Sequence, residues 1–125
     1  DYLEKTSIAL YEKMSQVAEK GGFIIADVKF EFGRDQEGKI VLGDSLGPDE
    51  YRLWIKSDWQ PGKTQDAYDK QHLRDWLIKT GFKEKVDALA KEGRKPDPPV
   101  VDPEVVGELS RRYIVAFERI SGQKL

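Results

Sequence analysis

Apolar and polar residues alternate from Phe23 to Phe32, which predicts a half-buried β-strand because successive side chains of a strand point to opposite faces. The even positions would form one apolar face: Ile24, Ala26, Val28, Phe30 and Phe32. The odd positions Asp27, Lys29 and Glu31 would share the other face, with neighbours roughly 6–7 Å apart. These charges predict either a site for a metal ion and a phosphate, or a solvated row of charges.

The rest of the pattern predicts helices packed on a β-hairpin. Turn residues follow the first strand, and Lys39 to Asp44 is typical of a second strand. Helical spacing and capping residues predict four helices: residues 6–20, Asp69 to Lys79, a short one after Phe82, and one between Asp102 and Gly122. The stretch from Gly47 to the second helix is predicted as a loop. We therefore expect an α+β fold with an antiparallel sheet or hairpin.

Composition narrows the class of protein. The 125 residues suit a single domain over 1–125, with a core large enough to fold without disulfides. A formal charge of −2 predicts no nucleic-acid partner. No apolar run approaches the ~20 residues of a membrane span, and cysteine is absent, so we expect a cytoplasmic protein without a membrane partner. Because the chain starts at Asp1 rather than Met, we expect it to be a domain of a longer protein.

The predicted hairpin brings a further carboxylate to the charged face. A turn centred on Gln36-Glu37 pairs Lys29 with Asp44, and cross-strand partners share a face. Asp44 would then join Glu31 as a second oxygen ligand for Mg²⁺, with Lys29 on a phosphate and Asp27 as a structural partner of Lys29. A slip of one residue would turn Asp44 to the opposite face. A surface ion-pair network remains the alternative.

A second group of charges lies at the start of the helix predicted from Asp69. Lys70 and Arg74 are four residues apart and share a helix face. Basic side chains beside the free N–H groups of a helix N-terminus form an anion site. The alternative is an exposed amphipathic helix whose Leu73 and Trp76 lie in the core.

The loop after the second strand carries a third group of charges. Asp49 is placed to accept from a donor on a substrate, and Arg52 to bind a carboxylate or phosphate with two parallel hydrogen bonds. The alternative is a turn in which Arg52 pairs with a neighbouring acid. Spacing alone does not choose between them.

Three segments, in this order, resemble the SAICAR synthetase (phosphoribosylaminoimidazole-succinocarboxamide synthase) family: Ile25 to Gly33, Leu42 to Asp49 with Arg52 to Trp54, and Asp69 to Gln71 with Arg74 and Asp75. The helix from Tyr113 to Gly122 looks similar as well. The resemblance spans nearly the whole chain, which corresponds to the C-terminal half of such an enzyme. It implies that the N-terminal half, a glycine-rich sheet that covers the nucleotide, is absent here.

The resemblance implies an ATP-dependent ligase of purine biosynthesis. Such an enzyme joins L-aspartate to carboxyaminoimidazole ribonucleotide (CAIR) through an acyl phosphate, and yields SAICAR, ADP and phosphate. It implies ATP and Mg²⁺ as cofactors and a homo-oligomer at full length, and we expect this chain to be inactive alone. The implied residue roles are Glu31 and Asp44 for the metal, Lys29 and Glu31 for the nucleotide, Asp49, Arg52, Lys70 and Arg74 for the substrate, and Lys29, Asp49 and Arg52 for catalysis.

Two departures from the family pattern affect this interpretation. Ser45 stands where many members have an acid, and Glu50-Tyr51 replaces small residues before the substrate arginine. Two other functions stay open at this point. One is a small-molecule kinase on a related fold, and the other is a non-catalytic interaction domain with a solvated charged strand.

Overall fold

The computed structural model describes all 125 residues and confirms the α+β class. Its elements are α1 (Tyr2–Lys20), β1 (Phe23–Val28), β2 (Glu31–Arg34), β3 (Ile40–Gly43), β4 (Tyr51–Ile55), a 3₁₀ turn (Lys56–Asp58), α2 (Gln71–Lys79), α3 (Phe82–Lys91) and α4 (Pro103–Ser121). The four predicted helices are thus present, within a few residues of their expected bounds. None of them is both long enough and apolar enough to cross a bilayer.

The predicted single strand from Phe23 to Phe32 is wrong in two respects. It is interrupted at residues 29 and 30, so that β1 and β2 belong to different two-stranded sheets. The buried side chains of β1 are Phe23 and Ile25, not the even-numbered ones. Ala26 has no cross-strand partner, because the register of β1 with its neighbour shifts between Ile25 and Asp27. This β-bulge moves the apolar face from odd to even positions, so that Val28 also packs on the core.

The partner of β1 is β4, which the sequence had indicated only as part of a loop. The two strands are antiparallel, with Phe23 opposite Ile55 and Ile25 opposite Leu53. Leu53 is completely buried between the sheet and the helices. The prediction of a loop was wrong. Apolar and polar residues do alternate from Tyr51 to Ile55, but the alternation covers only five residues between two charged stretches, which is too short to stand out as a strand.

Helices α1 and α4 close the core over the β1–β4 sheet. The central cluster consists of Ala18, Phe23, Ile25, Leu53 and Ala116. The small alanines let the helices approach the sheet closely. Arg119 of α4 stacks over the Phe23 ring at 4.4 Å and donates from Nε to the Gly21 carbonyl at 2.7 Å. A Cβ at Gly21 would lie 2.8 Å from a backbone oxygen of α4, so only glycine fits this crossing.

Helix α4 also holds the chain segment that leads into α2. Arg112 donates to the Asp66 carboxylate at 2.6 Å, to the Ala67 carbonyl at 2.6 Å, and to Glu108 at 2.7 Å. Its guanidinium lies 5.2 Å from the centre of the Tyr68 ring. This mostly buried arginine therefore fixes the segment immediately before α2 against α4.

We predict a loss of stability in acid that depends on Glu108. Hydrogen bonds from Arg111 and Arg112 lower the pKa of Glu108 from 4.5 to about 2. A carboxyl whose pKa is depressed in the folded state stabilises that state above its unfolded pKa, and this contribution disappears as the pH falls. The free energy of unfolding should thus fall between pH 5 and 2, and Glu108→Gln should flatten part of the fall. Urea denaturation measured across this range checks the prediction, with Glu12→Gln, an exposed α1 residue without an ion pair, as the control. Equal pH dependence in the two variants would contradict it.

Candidate functional site

A polar cleft of about 270 Å³ lies where β4 and the loop before it meet the start of α2. It is lined by Asp27, Asp49, Glu50, Tyr51, Arg52, Asp69, Lys70, Gln71 and Arg74. All four residues predicted to bind substrate are therefore in one place, although up to 25 positions separate them. The folding of β4 onto β1 and the docking of α2 beside it bring them together.

Arg52 is presented to the cleft by a paired strand rather than by a loop. Its Nε and Nη2 donate to the two carboxylate oxygens of Asp27 at 2.6 and 2.8 Å. The β-bulge at Ala26 creates this contact, because it places Asp27 directly opposite Arg52. The guanidinium holds the pKa of Asp27 below its usual range. The interpretation of Asp27 as a partner of Lys29 is therefore wrong.

Lys70 and Arg74 stand at the N-terminus of α2, where the helix dipole adds positive potential. The Lys70 ammonium donates to the backbone carbonyl of Asp49. Arg74 is exposed and forms no ion pair or side-chain hydrogen bond. An unpaired guanidinium beside a helix N-terminus is available to an incoming anion.

Asp49 is connected to α4 through Tyr113. The Tyr113 hydroxyl donates to Asp49 Oδ1 at 2.9 Å. Burial and the neighbouring carboxylate raise the pKa of Tyr113 above its usual range, so the hydroxyl stays protonated and keeps donating. The sequence had indicated no role for Tyr113 in the site, because nothing local marks a contact between residues 64 positions apart.

The predicted register of the β2–β3 hairpin is wrong by one residue. Glu31 lies opposite Gly43, and Phe32 lies opposite Leu42. The turn is closed by the Asp35 side chain, which accepts from the backbone of Glu37 and Lys39. These contacts centre the turn on Glu37 rather than between Gln36 and Glu37 and so shift the pairing.

Asp44 follows β3 in a left-handed conformation, with φ of 62°, and is the one non-glycine residue with positive φ. Because the backbone bends at Asp44, its side chain does not follow the alternation of strand faces from which we predicted its position. Its Oδ1 accepts from the Ser45 N–H at 2.8 Å. The backbone N–H of Ser45 thus helps to orient the Asp44 carboxylate.

Lys29 sits at the break between β1 and β2, close to three carboxylates. Its side-chain ammonium lies 2.5 Å from Glu31 Oε1, and its backbone N–H donates to the Glu50 carbonyl at 3.0 Å. The hydrogen bond that the Lys29 ammonium donates to Glu31, with the nearby charges of Glu50 and Asp44, raises the pKa of Lys29.

The donor set of this hairpin suits a hard divalent cation bound jointly with a ligand. No group of three or more acidic or histidine side chains converges to form a complete metal cage. Mg²⁺ typically uses only one or two carboxylates and takes its other ligands from phosphates and water. Glu31 and Asp44 provide such carboxylates beside a lysine, so the chemistry of the residues fits Mg²⁺ with a phosphate ligand.

Fold and site together define an α+β domain with a polar cleft lined by acidic and basic side chains and a pair of carboxylates on an adjacent hairpin. Comparison with known proteins then places it in a family. The family model described as SAICAR synthetase matches residues 1–89. The chain belongs to the SAICAR synthetase family.

Relatives align over nearly the whole chain. A phosphoribosylaminoimidazole-succinocarboxamide synthase of Nitrosopumilus maritimus is 48% identical, over 100% of this chain and 45% of that protein. One from Thermobifida fusca is 42% identical, over 97% of this chain and 38% of its own length. The chain thus spans less than half the length of these relatives.

Solved structures of the family share the fold. The SAICAR synthase from Saccharomyces cerevisiae complexed with SAICAR superimposes with a TM-score of 0.73 at 34% identity, covering 97% of this chain and 38% of the yeast protein. A SAICAR synthetase in complex with ADP gives a TM-score of 0.63 at 27% identity, covering 99% of this chain and 38% of that one.

Proposed function

We propose that this chain supplies the substrate- and metal-binding part of an ATP-dependent ligase that joins L-aspartate to CAIR in purine biosynthesis. The observation that carries the proposal is the cleft in which Asp49, Arg52, Lys70 and Arg74 line a single cavity at the N-terminus of α2. Cations around a helix N-terminus suit a phosphorylated ligand. A solved relative is complexed with SAICAR, the product of this reaction.

Each of the four predicted substrate residues in the cleft has a role in this proposal. Lys70 and the unpaired Arg74 bind the phosphate of the ribonucleotide. Arg52 is kept in place by Asp27 and offers its remaining guanidinium N–H groups to the substrate. Asp49 is oriented by Tyr113 and accepts a hydrogen bond from the substrate. Phosphoryl transfer depends mainly on positioning and on charge neutralisation, so no nucleophilic side chain is required.

The hairpin has the complementary role toward the nucleotide, in line with a solved relative in complex with ADP. Lys29 contacts a phosphate of ATP, and Glu31 and Asp44 would hold Mg²⁺, which would neutralise phosphate charge when bound. The carboxylate of CAIR attacks the γ-phosphorus, and the bond to ADP breaks. The amine of L-aspartate then attacks the acyl carbon of the resulting acyl phosphate, and inorganic phosphate and a proton are released as the amide forms.

The test is complementation in trans. This chain is mixed with the separately produced N-terminal half of the Nitrosopumilus maritimus relative, and ADP release is followed with ATP, Mg²⁺, CAIR and L-aspartate. We expect release that requires both halves and both substrates, because the cleft and the nucleotide-covering part lie on different pieces. ADP release that ignores L-aspartate, with phosphorylation of another acceptor, would indicate a kinase instead. A folded mixture with no turnover under any substrate combination would favour a non-catalytic role.

A further inference from the structure

Asp69 is the one charged side chain of the chain that is fully buried, with 1% of its surface exposed. It forms no ion pair with a lysine or arginine, although it lines the same polar cleft as Arg52, Lys70 and Arg74. Burial raises its pKa, because a carboxylate is costly in a poorly solvated place. A group that costs stability in this way needs a structural or functional reason to be there.

Both carboxylate oxygens of Asp69 are used, and each binds a different element of the fold. Oδ2 accepts from the Leu53 N–H in β4 at 2.8 Å. Oδ1 accepts from the Gln71 N–H, the first residue of α2, at 2.8 Å. One side chain therefore bridges the strand and the helix that form the two walls of the cleft.

The two donors are the immediate neighbours of cleft cations. Arg52 precedes Leu53 in β4, and Lys70 precedes Gln71 at the start of α2. We infer that Asp69 is a positioning residue, which clamps β4 to α2 so that Arg52 is held beside the phosphate that Lys70 and Arg74 bind. This inference rests on the proposed function, since it concerns the phosphate site of the cleft.

A purely electrostatic role of Asp69 and a positioning role predict opposite changes in phosphate affinity when Asp69 is replaced. If the carboxylate acted only through its negative charge, its removal would strengthen anion binding, because a repulsive charge beside the cleft would be gone. If it acts as a clamp, its removal loosens the spacing of the two cations and weakens binding. The sign of the change in affinity therefore separates the two roles.

The experiment titrates the full chain with inorganic phosphate and follows the dissociation constant by NMR, at a temperature at which each variant is folded. Asp69→Asn removes the charge and keeps the size, whereas Asp69→Glu keeps the charge and shifts the oxygens by a methylene. Asp97→Asn, an exposed residue without a hydrogen bond, is the matched charge control. Arg74→Gln removes a cation of the proposed phosphate site and so tests whether phosphate binds there. Amide hydrogen exchange at Leu53 and Gln71 shows whether the clamp is open.

We expect both Asp69 variants to bind phosphate about tenfold more weakly, which corresponds to about 1.4 kcal/mol. Exchange should become faster at Leu53 and Gln71 but stay unchanged in α4, and Asp97→Asn should behave like the unmodified chain. Stronger or unchanged binding by Asp69→Asn would overturn the inference, as would unchanged binding by Asp69→Glu. Failure of both variants to fold would assign Asp69 to global stability and also overturn it. If the unmodified chain and Arg74→Gln both fail to bind phosphate, the proposed phosphate site fails and this inference with it.

Discussion

Asp44→Asn is expected to reduce ADP release by the complemented enzyme about 100-fold or more at ordinary Mg²⁺ concentration, with partial recovery at high Mg²⁺. A neutral amide is a poorer ligand for a hard cation than a carboxylate. The substitution isolates this effect, since asparagine tolerates the left-handed conformation that Asp44 adopts at φ of 62°. Its side-chain oxygen can also still accept from Ser45.

The measurement is ADP release against Mg²⁺ concentration for the mixture of the two halves. Glu37→Gln is the control, because it removes a carboxylate from the turn of the same hairpin without breaking an ion pair. We expect this control to retain the activity and Mg²⁺ dependence of the unmodified chain. An Asp44→Asn variant with an unchanged Mg²⁺ dependence would remove Asp44 from the metal site.

Leu53→Ala is expected to destabilise the chain by about 3 kcal/mol, the largest effect on stability that we predict. Leu53 has no exposed surface and lies at the centre of the β1–β4 sheet, under both long helices. Its truncation leaves a cavity that alanines at 18 and 116 are too small to fill. Domains of this size have only about 5–15 kcal/mol of total stability, so a large part of it would be lost.

Urea denaturation followed by circular dichroism checks this result. Leu125→Ala makes the same chemical change at a side chain that is 80% exposed and should leave the midpoint almost unchanged. Equal midpoints for the two variants would show that Leu53 does not support the core as the structure implies. The backbone groups of Leu53, which bond to Asp69 and Tyr68, are retained in the variant.

The helices were predictable because their signals are local. Asp102 accepts from the Glu104 N–H at 2.9 Å and precedes a proline at the first helical position, as the sequence indicated. Gly122 ends the same helix with φ of 71°. Capping of this kind involves residues only a few positions apart, so a chain segment carries the whole signal.

The strands were predicted less well, because their pairing depends on distant residues. Ala26 looks like any other member of the alternating run, and only its position opposite β4 makes it a bulge. The hairpin register differed from the prediction because the Asp35 side chain closed the turn in a geometry that spacing does not reveal. The second helix was predicted from Asp69; in the structure Lys70 is its N-cap and Asp69 accepts from the Gln71 N–H, but the bond of Asp69 to Leu53 was invisible in the sequence.

The sequence by itself therefore determined the α+β class, the four helices and the family resemblance, and it predicted a set of charged residues for a phosphorylated substrate. Only the tertiary structure decided that four of those residues line one cleft, that Asp27 holds Arg52, and that a buried carboxylate joins β4 to α2. The physical reason is the range of the interactions involved. Helix periodicity and capping act within a turn, whereas a cleft is formed by contacts between elements whose register a local pattern does not specify.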